Sequence, residues 1–139
     1  MITGNTHFAI GIHVLAALAL RDGDLVTSAE LAESVHTNPA FLRAVLGRLR
    51  DAGLLETRLG KGGGSTLARP ASDITLLEVF RATDGEARLA THDCAGGTCE
   101  LGQKVPAVLE KLGQQLDAAM ARELETVRVS DIAREVRPT

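Results

Sequence analysis

Cys94 and Cys99 are the only cysteines in the chain, and His92 stands two residues before the first of them. The stretch HDCAGGTC therefore gathers both thiols and one imidazole. A structural zinc site wants four ligands, and His92, Cys94 and Cys99 supply three. An iron–sulfur cluster also wants four, mostly thiolate, so two thiols leave it short. A reversible dithiol needs only the two sulfurs. Ala95, Gly96, Gly97 and Thr98 separate them, and the glycines permit the close Cα approach of a disulfide. Reactivity would need a lowered thiol pKa. A charged His92 and the N-terminal end of a following helix would lower it, and Asp93 would oppose them. The dithiol fits the counts best; two inert cysteines in an irregular loop is the alternative without a function. As nucleophile and base, Cys94 and His92 stand in a Gly-rich loop with no orienting third group, so an enzyme is not indicated.

A second set of residues is basic. From Asn38 to Arg69 the chain has six basic residues (Arg43, Arg48, Arg50, Arg58, Lys61, Arg69) against Asp51 and Glu56. From Pro70 to Cys99 the sign reverses. The whole chain carries a formal charge of −3, which argues against a generally basic coat. A local basic face on an acidic protein is an electrostatic footprint for nucleic acid. Within it, GLLETRLGKGGGSTLARP places Lys61 and three consecutive glycines between two short alternating runs. Glycines at a hairpin tip allow positive backbone dihedrals and close approach of the main chain to a phosphate or a groove floor.

The elements that must position these residues are mostly helical. Ile10, Val14, Leu15 and Leu18 give Thr6–Leu20 a helical spacing, ended by the turn at Gly23. Thr27 and Glu30 form a capping box that opens a helix over Ser28–Val35. His36 and Thr37 make a tight turn. Asn38 is a favoured N-cap, and Pro39 occupies the first helical position, where its missing N–H costs nothing. This third helix runs to about Ala52, with Gly53 as its left-handed stop. Leu42, Val45, Leu46 and Leu49 form its buried stripe, and Arg43 and Arg50 face outward. Two short helices joined by a tight turn, the second basic on its outer face, read as helix-turn-helix. Leu54–Leu59 and Ser65–Arg69 then form a two-stranded hairpin, which in this place is a wing.

Thr75 and Glu78 open a further helix through about Thr83. After the cysteine loop a long amphipathic helix carries Leu101, Val105, Val108, Leu112, Leu116, Ala119 and Leu124, widened by Leu109, Met120 and Val127. Pro106 sets the start of its regular part near that residue. Ser130 is expected to cap a short terminal helix over Asp131–Val136. A long apolar stripe needs a partner surface, and a second subunit would supply it. The fold class is therefore mainly α with a small β-hairpin. It divides into a winged helix-turn-helix DNA-binding domain (1–85), a cysteine-containing sensor loop (86–100) and a dimerisation helix with a short C-terminal helix (101–139). The apolar run Phe8–Leu20 is too short for a membrane span and contains His13. No basic n-region precedes it. The chain reads as soluble and cytoplasmic, with no membrane partner. A winged-helix module that binds protein in place of DNA is the competing class, and the basic excess over Asn38–Arg69 argues against it.

The residues HFAIGIHVLAALA, then TSAELAESVHTNPAFLRAVLGRLRDAGLLETRLGKGGGSTLARP, then ITLLEVFRATDG resemble the Rrf-type winged-helix transcriptional regulators of bacteria, the family that includes IscR, NsrR and CymR. The block LRDAGLL…GKGGGSTLARP…ITLLEVFRA is specific, and the likeness covers nearly the whole chain. It implies a homodimeric repressor on a pseudo-palindromic double-stranded DNA operator, with the long helices paired. It also implies DNA contacts from the start of the recognition helix and from the wing. On this chain those positions are Asn38, Ala40, Phe41, Arg43 and Ala44, then Lys61, Gly62 and Gly63, with Arg58 adding charge. Ala40 and Ala44 cannot hydrogen-bond a base edge, which leaves Arg43 to read guanine. Cluster-binding members carry three cysteines in the loop. Cys94 and Cys99 match the first two, and the third position falls at Val105, which cannot ligate iron. The resemblance is nearest to a subgroup lacking that third cysteine. No cofactor is then expected. The alternative is an iron–sulfur cluster whose missing ligands are a carboxylate or a histidine, with His7, His13 and His36 as candidates beside His92.

Overall fold

The structure is a computed structural model that describes residues 6–83 and 100–138. Six helices and one hairpin are described: α1 (Thr6–Leu20), α2 (Ser28–Val35), α3 (Pro39–Asp51), β1 (Leu55–Arg58), β2 (Gly64–Leu67), α4 (Leu76–Thr83), α5 (Glu100–Glu125) and α6 (Val129–Val136). A short 3-10 turn over Ala71–Asp73 precedes α4.

Helix α1 is apolar on nearly every face, as a helix must be when other elements surround it. Phe8, Val14, Leu15 and Leu18 are buried, and α2, α3, α4, α6 and β2 all pack on it. Phe8 meets Phe80 of α4 edge to face, with ring centroids 5.2 Å apart. Gly11 marks the close crossing of α1 and α4, because a Cβ there would stand 2.9 Å from Thr83 Cγ2 and 3.3 Å from Val79 Cγ1.

The helix-turn-helix follows from local signals. Glu30 N–H donates to Thr27 Oγ1 (3.1 Å) and Thr27 N–H donates to Glu30 Oε2 (2.9 Å), which is the complete capping box. That main-chain bond to Thr27 holds the Glu30 carboxyl below its ordinary range, outweighing the opposing effect of burial, with Arg21 adding to the depression. His36 takes a left-handed conformation (φ 56°) and its N–H donates to the Ala32 carbonyl at 2.9 Å. This reverses the chain within one residue. Asn38 caps α3 and Gly53 ends it at φ +76°. Leu42, Val45 and Leu49 are buried beneath α3, while Leu46 is only half-buried.

The hairpin is antiparallel, with Leu55 opposite Leu67 and Arg58 opposite Gly64. Both strands are shorter than the alternation predicts: β1 loses Leu59 because pairing stops at Arg58 where the tip begins, and β2 starts at Gly64 and ends at Leu67, opposite Leu55. Val26, ahead of α2, clamps the other edge of β2. Its N–H donates to the Ser65 carbonyl (2.9 Å), and its carbonyl accepts from the Ser65 N–H (2.8 Å).

Three features of the C-terminal part differ from the expectation. Helix α5 begins at Glu100 and runs through Pro106. A proline there forfeits the bond to the Gly102 carbonyl, but the turns on either side supply enough others to keep the helix intact. Ser130 is not the cap of the last helix. Arg128 bridges to Thr75, which holds it extended, so the helix starts at Val129 and the Asp131 carboxylate accepts from the Arg128 N–H (2.9 Å). The winged region also does not complete its core alone. Leu124, Val129 and Ala133 are buried in it, and α6 packs against α1. Leu76 N–H to the Val127 carbonyl and Val129 N–H to the Ile74 carbonyl, both 2.9 Å, tie the end of the chain to the start of α4.

Helix α5 spans 26 residues, about 39 Å at 1.5 Å per residue. Of its apolar stripe only Leu124 is buried. Leu101 (69% exposed), Val108 (64%), Leu112 (43%) and Leu116 (44%) lie open. Among the described residues no helix is long and apolar enough to cross a membrane.

Candidate nucleic-acid interface

Helix α3 and the hairpin tip stand as successive elements, and their side chains divide into those spent inside the chain and those left outside it. Arg48 is spent. Its Nη1 donates to the Thr83 carbonyl at 2.5 Å, closing the last turn of α4. Arg69 is spent on Glu78 and on the Asp73 carbonyl. Burial pushes the Glu78 carboxyl up, but the Arg69 hydrogen bond and charge, helped by Thr75, bring it below its ordinary value of 4.5. Arg50 lies 3.6 Å from Asp51 on an exposed surface, a contact of small energetic weight. Arg43, Arg58 and Lys61 are exposed, and among the described residues none has an acidic partner. Of the six basic residues of this stretch, Arg48 and Arg69 are thus committed to the fold, Arg50 keeps only the weak Asp51 contact, and Arg43 on the outer face of α3 with Arg58 and Lys61 at the wing remain available.

At the start of α3, Asn38 Oδ1 accepts from the N–H groups of Ala40 (2.7 Å) and Phe41 (3.4 Å). That oxygen is occupied by the cap. Phe41 is half-buried, and its ring stacks on His7 of α1 with centroids 4.4 Å apart. Ala40 and Ala44 are exposed. The two flanks of α3 differ. A groove of about 180 Å³ on the α2 side is lined by Ala29, Ala32, Pro39, Leu42 and Arg43. An open hollow on the α1 side is lined by Thr6, Ile10, Thr37, Asn38, Ala40, Phe41 and Ala44.

The wing tip is a tight turn. Gly63 N–H donates to the Gly60 carbonyl at 3.0 Å. Gly62, at φ +77°, is exposed at the apex beside Lys61. Gly63 is different, because a Cβ there would lie 2.1 Å from the Arg58 carbonyl oxygen. A Cβ on Gly64 would lie 2.7 Å from the Val26 carbonyl oxygen. These two glycines are required by the wing's own folding and by the Val26 clamp. Leu59 is 90% exposed at the base of the tip; its place there had no signal in the alternating pattern, which assigns it to the strand. The His7–Phe41 stack likewise had none, since it joins residues on separate helices.

Cys94, Cys99 and His92 lie outside the described residues. Of the other candidate ligands, His7 stacks on Phe41, His13 Nε2 is 2.9 Å from Ser34 Oγ, and His36 forms the helix-turn-helix reversal. Among the described residues no cluster of three or more His, Cys, Asp or Glu side chains could hold a metal ion.

Comparison with known proteins agrees with this geometry. Residues 4–135 match the Rrf2 family, described as an iron-dependent transcriptional regulator. The chain is 35% identical over 130 residues to YwnA of Bacillus subtilis (strain 168), assigned as an HTH-type transcriptional regulator, covering 92% of this chain and 95% of that one. It is 35% identical over 125 residues to the HTH-type transcriptional regulator IscR of Cereibacter sphaeroides, covering 88% and 80%. In three dimensions it matches CymR, the global cysteine regulator of B. subtilis, at a TM-score of 0.73 and 20% identity, over 98% of this chain and 99% of that one.

Proposed function

The chain belongs to the Rrf2 family of transcriptional regulators, and from that premise we propose that it is a repressor that binds a pseudo-palindromic DNA operator as a homodimer, with affinity set by the thiol state of Cys94 and Cys99. The observation that carries the DNA reading is the set of cations left outside the chain. Arg43 on α3 and Arg58 and Lys61 on the wing keep their charge available, while Arg48 and Arg69 are committed to the fold. In this reading α3 enters the major groove, Arg43 reads guanine, and Lys61 with the Gly62 main chain meets the phosphate backbone. Asn38, Ala40 and Phe41 shape the leading edge of α3. Two copies joined through the open stripe of α5 present two such heads, with half-sites about one helical turn, or a multiple, apart.

The switch reading is supported by what flanks the cysteine segment. Helix α4 ends at Thr83, whose carbonyl is held by Arg48 of the recognition helix. Helix α5 begins at Glu100, the residue after Cys99. The segment thus joins a residue tied to the DNA-reading helix with the helix assigned to dimerisation. Oxidation joins the two sulfurs, with two protons and two electrons passing to an oxidant such as diamide. A shorter connection changes the spacing of the two α3 helices, which the DNA holds fixed. A tenfold loss of affinity needs about 1.4 kcal/mol between the two states.

The test is a DNA-binding titration of wild type, Cys94→Ser and Cys99→Ser, each with and without diamide. The expected outcome is loss of binding on oxidation in wild type alone. Equal loss in all three removes the cysteines as sensor. A second reading, cluster sensing, is favoured by the family's description as iron-dependent. The donor set does not fit it without help: the chain has two cysteines, where a cluster wants four ligands, mostly thiolate. Iron and sulfide in anaerobically purified protein, with visible absorbance, would favour the cluster over the disulfide.

A further inference from the structure

Beside its arginines, the exposed part of the recognition helix presents two alanine methyl groups near its start, Ala40 and Ala44. We propose that Ala40 and Ala44 read thymine, through its C5 methyl group, and so determine operator sequence on the flank of α3 that faces α1. The inference rests on the DNA-binding reading above and goes beyond it by naming the base and the atoms.

The larger side chains around these two methyl groups are in part committed elsewhere. Asn38 Oδ1 is occupied by the Ala40 and Phe41 amides. The Phe41 ring lies against His7. Arg43 opens on the opposite flank, beside Ala29 and Ala32 of α2. The hollow on the α1 side presents the methyl groups of Ala40 and Ala44, with the ring of Phe41, the side chain of Ile10 and the polar side chains of Thr6, Thr37 and Asn38 beside them. Ala40 and Ala44 are four residues apart, so they share one face of the helix, separated by about 6 Å along its axis. The rise between bases is about 3.4 Å, so the pair reaches across no more than about three base pairs.

In the major groove the four base pairs differ in donors and acceptors, and thymine alone adds a methyl group. A helix face of methyl groups cannot tell guanine from adenine by hydrogen bonds. It can bury a thymine methyl, and it leaves unpaired any polar edge presented to it, which costs affinity. The two flanks of α3 therefore have separate tasks: guanidinium toward guanine on the α2 side, methyl toward thymine on the α1 side. By the same chemistry, 5-methylcytosine should be accepted in place of thymine at the methyl-reading position better than unmodified cytosine is.

The experiment begins by selecting tight-binding duplexes from a random library with the reduced full-length dimer. Each thymine of the selected half-site is then replaced, one position at a time, by deoxyuridine, which deletes only the C5 methyl. One or two positions within a three-base-pair window should lose about fourfold in affinity per half-site, the equivalent of about 0.8 kcal/mol for one buried methyl-sized group at 1.4 kcal/mol per tenfold. Changing both half-sites should compound this to about fifteenfold. In Ala44→Gly and Ala40→Gly the same uracil substitutions should cost less than in wild type, whereas in Arg43→Ala they should cost the same. The comparison is between two duplexes on one protein, so a loss of helix stability in a glycine variant cancels. A selected duplex that binds tightly but tolerates uracil everywhere would overturn the thymine reading and leave the DNA reading intact. Equal binding to all duplexes, or to none, would overturn both.

Discussion

Gly63→Ala asks whether the shape of the wing, and not only its charge, delivers Lys61 to DNA. The new Cβ would lie 2.1 Å from the Arg58 carbonyl oxygen and 2.9 Å from the Gly60 carbonyl oxygen. Both neighbours are main-chain atoms, so no side chain can turn aside. The tip must open, which breaks the Gly63–Gly60 hydrogen bond and the last rung between Arg58 and Gly64. At about 1 kcal/mol net for each bond, the closed tip loses about 2 kcal/mol against open ones, roughly thirtyfold in their ratio. Gly63 is not part of the hydrophobic core, so thermal unfolding should move little. The assay is anisotropy on an operator duplex across a salt series. The slope of log K against log salt should flatten by about one unit per wing, the same change as in Lys61→Ala. Gly62→Ala is the control. Its Cβ meets nothing within 4 Å and it bears only the strain of a positive φ, about 1–2 kcal/mol, so its effect should be smaller. If Lys61→Ala flattens the slope and Gly63→Ala leaves it unchanged, the shape argument fails. If neither changes it, the wing is not in the interface.

Three other expectations concern the dimer helix, two helix glycines and Glu78. Leu112→Asp with Leu116→Asp puts two charges in the open stripe of α5 and should yield a monomer of 14.6 kDa in sedimentation at micromolar concentration; an unchanged dimer would place the interface elsewhere. The same substitution should have opposite signs in two helices: Gly47→Ala, with only the Arg50 guanidinium at 3.9 Å, should stabilise by about 0.5–1 kcal/mol, whereas Gly11→Ala should destabilise by about 1–2 kcal/mol in urea unfolding. Thr83 cannot give way at Gly11, because its hydroxyl donates to the Val79 carbonyl at 2.8 Å. Glu78 titrates lower in the folded chain than its ordinary 4.5, so its contribution is present above that pH and lost as pH falls through the lower folded value. Glu78→Gln should therefore flatten the acid limb of the stability curve as pH falls below the ordinary carboxylate value of 4.5, and an unaltered limb would show that the Arg69 contact carries no weight.

The spans of α1 and α2, the Asn38–Pro39 start of α3 and the stop at Gly53 were legible in the sequence. Each is decided within about one helical turn, by apolar spacing, by a side chain bonding an amide two or three residues on, or by a glycine at a left-handed position. The wing was legible as glycines between two alternating runs, although its pairing ended sooner than the alternation did. Membership of the regulator family was legible for the same reason, since its marks are local. The tertiary structure decided which of the basic residues are free. In sequence Arg48 and Arg69 look no different from Arg43 and Arg58, but Arg48 meets a carbonyl 35 residues away and Arg69, just past the wing, a carboxylate on α4. It also decided that Gly63 and Gly64 serve the hairpin and its Val26 clamp, and that Pro106 lies inside a helix. The chain's end belongs to the core for a similar reason: Val129 pairs with Ile74. Such pairings join residues that no local rule connects. They form only when burial brings distant segments together, and that sum over the whole chain is what a reading of neighbours does not contain.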